Sequence, residues 1–136
     1  MKRVTIPFSD ERLIESLERE YGSTYRVAKR ATESWLFLKR RTLDEIKGFF
    51  EKDEIIFLVS MLNGTFFEPG MIRKEVMIAE IEDTVRYEQP SYNPKDLIEK
   101  INKLTYAQLF FLVEDIYHFW YDLSERNLEE FVEKYL

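Results

Sequence analysis

Arg3-Val4-Thr5-Ile6-Pro7-Phe8-Ser9-Asp10-Glu11 is the stretch whose reading decides the fold. Polar and apolar residues alternate through Arg3–Phe8 with the period of a half-buried strand. Val4, Ile6 and Phe8 fall on one face, and Arg3, Thr5 and Pro7 on the other. Ser9 then offers a helix N-cap, and Asp10 and Glu11 suit a first helical turn, where the dipole favours acids. Leu13, Ile14, Leu17 and Tyr21 follow at helical spacing, and Gly22 supplies a left-handed stop. Ser23 or Thr24 can cap a second helix, which carries Val27, Ala31, Trp35 and Leu38 on one stripe.

Everything after this reads as helix. Thr42 to Glu45 forms a capping box expected to open a short helix from Leu43 to about Phe50. Asp53 to Leu62 is an apolar helical run stopped at the Asn63-Gly64 turn pair. Pro69 suits the start of a helix continuing through Met71, Val76, Ile78 and Val85. Glu88 to Tyr92 reads as a loop, and Asn93-Pro94 as an N-cap and first helical residue. Thr105 with Gln108 makes a second capping box before a long helix to about Leu123, and Asn127 starts a last one. The expected fold is therefore mainly α: one short strand with two helices, then an all-helical region.

A lone six-residue strand cannot satisfy its own backbone, and the helical remainder offers no partner strand. Two copies pairing antiparallel would mask each other's edges and pool Val4, Ile6 and Phe8 over the helices. A two-stranded ribbon is marginal alone, so this arrangement makes a homodimer obligatory. Strand, helix, glycine turn and helix within about 40 residues resembles the ribbon-helix-helix repressors, the family of the methionine and Arc repressors. The resemblance covers residues 2–41 and implies a DNA-binding domain over 1–41, with 42–136 as a helical dimerisation or partner-binding region.

The resemblance implies that outward side chains of the paired ribbon enter the major groove of double-stranded DNA. Arg3 and Thr5 would read base edges, arginine by bridging the two acceptors of guanine. Pro7 departs from the pattern, since it offers no hydrogen bond. The second helix's N-terminus would hold a phosphate on free amides at Ser23, Thr24 and Tyr25, with Lys2, Arg26, Lys29 and Arg30 adding charge. The dimer core would then be Val4, Ile6, Phe8, Leu13, Leu17, Val27, Ala31 and Trp35. The turn after Gly22 is a residue or two shorter than usual in the family. A second resemblance, of Tyr21 to Ala28 to the first helix of a helix-turn-helix, ranks lower, because Thr32 stands where a glycine turn is expected.

Charge runs the same way. Residues 1–47 hold eleven basic against eight acidic side chains, whereas the whole 136-residue chain has a net charge of −6. The basic excess at one end suits a polyanion, although solvated helix faces produce such asymmetries too. Lys39, Arg40 and Arg41 would either touch phosphates or simply suit a helix end.

Composition narrows the chemistry. No cysteine and one histidine exclude thiolate metal sites and leave little for a Ser-His-Asp triad, so an enzyme is not expected. Four glycines and four prolines leave little room for phosphate loops. No apolar run approaches a membrane span, no secretory h-region opens the chain, and the cysteine usage fits a cytoplasmic protein. Glu114, Asp115 and His118 share a helix face, but one imidazole with two carboxylates falls short of most transition-metal ligand sets. His118 is therefore expected to pack half-buried, and no cofactor is expected. Phe110, Phe111, Tyr117, Phe119, Trp120 and Tyr121 surround the same helix, which implies a central, buried one. Glu80, Glu82 and Asp83 read as a solvated face without catalytic work. The function expected is sequence-selective DNA binding by a dimeric transcriptional regulator. The alternative is a helical adaptor or inhibitor that meets a protein partner through its acidic region.

Overall fold

The computed structural model of the chain describes residues 11–22, 24–62, 72–121 and 127–136. Seven helices lie among them: α1 Glu11–Tyr21, α2 Thr24–Glu45, α3 Lys52–Leu62, α4 Lys74–Tyr87, α5 Pro94–Lys103, α6 Tyr106–Tyr121 and α7 Leu128–Glu133. The protein is mainly helical, with no strand among the described residues. The expected strand from Arg3 to Phe8, its cap Ser9, the Asn63-Gly64 turn and Pro69 lie outside them. No described helix is long and apolar enough to cross a membrane.

The chain divides into two compact units, Met1–Leu38 and Lys39–Leu136. Both that boundary and the one expected after Arg41 fall inside α2, which runs unbroken to Glu45. The separate helix expected from Leu43 does not form. Thr42 and Ile46 stand one turn apart and are both buried, so one more turn of α2 hides both. Glu45 turns away from its capping-box role and accepts from the Gln108 side-chain amide at 3.1 Å. In the turn that follows, Gly48 has a φ of 77°, the left-handed conformation that glycine adopts without strain. Its N–H donates to the Tyr135 carbonyl at 2.8 Å, tying this turn to the residues after α7.

In the second unit the helix starts follow local chemistry. The Asn93 side chain accepts from the amides of Lys95 and Asp96, with Pro94 in the first turn of α5. Thr105 and Gln108 exchange side-chain-to-backbone hydrogen bonds of 2.9 and 3.1 Å, a reciprocal capping box for α6. Asn127 caps α7 through the Glu130 amide. Lys74, opening α4, donates to the Asn102 carbonyl near the end of α5, so these two helices run antiparallel. Ile55, Leu58, Val59, Ile81, Leu97, Ile101, Leu112 and Ile116 are fully buried in one cluster that also takes in Phe131 and Val132 of α7. α6 is buried from Phe111 through Ile116 on all sides, as its aromatic surround implies. Trp120 donates its indole N–H to the Val59 carbonyl at 2.9 Å, fastening α6 to α3.

Candidate functional site

α1 places Leu13, Ile14 and Leu17 among Glu11, Arg12, Glu15, Glu18, Arg19 and Glu20, an amphipathic pattern over three turns. Gly22, at φ 75°, donates its N–H to the Glu18 carbonyl at 2.9 Å and ends the helix. A Cβ there would meet nothing within 4 Å, so the backbone angle rather than space calls for glycine. α2 then opens at Thr24, followed by Tyr25.

Arg26, Lys29 and Arg30, expected to add charge beside a phosphate, are all exposed on the first two turns of α2. A shallow groove lined by Arg26, Val27, Arg30, Ala31 and Ser34 sets two of these cations beside two apolar residues expected in a dimer core. Of that core, Leu17 and Val27 are half-buried, Ala31 is exposed, and Leu13 and Trp35 are 46% and 39% exposed. The side chains of Thr24 and Tyr25, and all of Lys2, Arg3, Val4, Thr5, Ile6, Phe8 and Ser23, lie outside the described residues. The helix-turn-helix alternative is overturned at Thr32. Its hydroxyl donates to the Ala28 carbonyl at 2.8 Å and the helix continues for three more turns.

A second cluster, in the other unit, was only half visible in the sequence. Glu114 and Asp115 sit in the middle of the apolar helix α6 and are both buried. Lys39 lies 2.6 Å from Glu114 Oε2 and 3.3 Å from Asp115 Oδ1. Lys134 pairs with Asp115 Oδ2, and the Tyr135 hydroxyl donates to the same oxygen. Burial pushes the Asp115 carboxyl up, but hydrogen bonds from Lys134 and Tyr135, with the charges of Lys134 and Lys39, outweigh it and hold it below the usual aspartate range. Among the described residues Glu114 Oε2 has no aligned donor, and the Lys39 charge faces it.

His118 is not half-buried as expected. Its side chain is 54% exposed and its Nε2 stands 2.7 Å from Glu114 Oε1. Because Asp115 turns inward to Tyr135, the three residues do not converge, and no group of three or more acids and histidines among the described residues is placed to hold a metal ion. The missed partners, Lys39 and Lys134, lie far from Asp115 along the chain. The readable signal was the adjacent acid pair inside an otherwise apolar helix, since buried carboxylates require partners. A second such pair, Glu54 with Lys100 at 2.5 Å, joins α3 to α5, with Glu54 also accepting from the Glu51 amide.

The acid–base cluster ties helices together inside its own unit, whereas Arg26, Lys29 and Arg30 of the other unit stand exposed on α2. Compared with models of known protein families, with curated proteins and with solved structures, the chain finds no match.

Proposed function

We propose that the protein is a dimeric regulator that binds double-stranded DNA through residues 1–41. The observation that carries the reading is a mismatch within those residues. Apolar side chains recur at helical spacing through α1 and α2, yet no described side chain before Thr42 is buried. Residues so patterned are covered in the functional state, and pooling them across two copies covers them. In that dimer Arg3 and Thr5 of the ribbon face the bases. Lys2, Ser23, Thr24, Tyr25, Arg26, Lys29 and Arg30 hold the backbone phosphates. The helical remainder, residues 42–136, reinforces the dimer or receives a partner.

Phosphate contacts dominate the affinity of such a protein and make it salt-dependent. Fluorescence anisotropy on random and selected duplexes tests this. Arg26→Ala weakens all sequences alike and lowers the log–log salt slope by about 2 per dimer, one contact per protomer. Arg3→Ala blunts the preference between sequences instead. Parent-like binding by both variants rejects the docking.

One observation favours a second reading, an adaptor or inhibitor of another protein. Trp35, Leu36, Phe37 and Leu38 make a whole helical turn that is apolar and exposed. That reading requires no duplex affinity even at low salt, and a protein partner whose capture is lost on Trp35→Ala.

A further inference from the structure

The turn of α2 at Trp35–Leu38 faces every direction, so the stripe of Val27, Ala31, Trp35 and Leu38 does not account for all of it. Phe37 lies off that stripe, on the side away from it, and is 63% exposed. The residues sharing its side of the helix are charged. Arg30 and Glu33 precede it by seven and four residues, and Arg41 and Asp44 follow it by four and seven. These offsets keep all five on one face of a helix. All five are exposed.

The signs around Phe37 are antisymmetric: positive, negative, apolar, positive, negative. A second α2 laid antiparallel across a twofold axis at Phe37 brings residues whose numbers sum to 74 into register. Each of these four charges then meets its opposite, and the two Phe37 rings meet at the axis. Parallel pairing would instead set Arg30 on Arg30 and Glu33 on Glu33. The ion pairs cannot form within one chain, because eight residues of helix separate Glu33 from Arg41 by about 12 Å. A face with one large apolar residue flanked by self-complementary charges fits a copy of itself, as an isologous contact demands.

We propose that α2 pairs antiparallel with α2 of a second copy about Phe37, Glu33 of each chain against the partner's Arg41 and Arg30 against the partner's Asp44. The contact stands apart from the DNA-binding reading. The two share one residue, Arg30, which faces Asp44 of the partner where α2 pairs with its copy; the other phosphate-holding groups named above lie outside the contact.

Sedimentation equilibrium of the full chain across a dilution series tests it, with circular dichroism confirming that each variant folds. Phe37→Glu raises the dissociation constant for self-association at least about tenfold, by placing two carboxylates at the axis. Glu33→Arg and Arg41→Glu each raise it about three- to tenfold, because each pair occurs twice across the axis. The double variant returns to within about threefold of the parent, since the swapped charges again complement each other. A merely structural role for these residues gives no such rescue. A monomeric parent, parent-like association of Phe37→Glu, or a double variant as weak as the singles overturns the proposal. Loss of duplex binding with the rescue intact rejects the DNA reading and leaves this contact standing.

Discussion

The described residues of the two units, 1–38 and 39–136, are mainly helical and rich in apolar side chains in both, but the units dispose of them differently. In the longer unit, helices converge so that one apolar face covers another, and even the acids of α6 are drawn inside and matched. In the shorter unit two helices carry similar stripes around Gly22, and among the described side chains these are at most half-buried. Helical patterning specifies which face must be hidden and says nothing about whether the same chain supplies the cover. That difference is why the shorter unit is where an external partner is to be sought.

The comparison is broken most severely by removing core volume. Leu112→Ala should cost about 3 kcal/mol by urea denaturation, because Leu112 is fully buried and its neighbours relax only partly. Leu17→Ala, on the half-buried stripe of α1, should cost less than about 1 kcal/mol under monomeric conditions. Equal costs for the two would mean that the shorter unit has a core of its own.

A smaller effect sharpens the electrostatic side of the contrast. Asp115→Asn should lower stability at neutral pH by about 2 kcal/mol, since Lys39 and Lys134 lose a buried counter-charge. Because the Asp115 carboxyl is held below its ordinary range, its contribution is fully present above about pH 4 and is lost as pH falls through the depressed folded value. Stability measured against pH should therefore fall more steeply below about pH 4 in the parent than in the Asn variant. Parallel profiles would mean that the carboxylate is not the group held by these partners. Smaller than the Asp115 effect is that of Asn93→Ala, which removes the acceptor for two amides and should cost about 1 kcal/mol in the same urea assay. A loss too small to measure would show that α5 is positioned by packing alone.

What the sequence displayed, it displayed locally. Asn93-Pro94, Thr105 with Gln108, and Asn127 act within three or four residues, so spacing alone exposed them. Thr42 looked equally like a cap, but burying it with Ile46 outweighed its capping hydroxyl and α2 ran on. Ion partners were beyond reach for the opposite reason. Lys39 and Lys134 meet Asp115 only once the helices have packed, and nothing in their neighbours marks them. His118 was misjudged because its surroundings along α6 are aromatic, while its own position on the helix faces water. Of the candidate interface, the cations at Arg26, Lys29 and Arg30 and the stop at Gly22 were legible. The Phe37 pattern was not, because its meaning depends on a second molecule.

The bond from Gly48 to the Tyr135 carbonyl, together with the grip of Tyr135 and Lys134 on Asp115, has a consequence for biosynthesis. The segment that closes the bundle is translated after every helix it touches. A nascent chain that stops short of Phe131 therefore leaves an apolar seam open and Asp115 without Lys134 and Tyr135, held by Lys39 alone of its three partners. Chaperones and proteases would meet that intermediate, and the interval before the final turn is made is when the chain is most vulnerable to them.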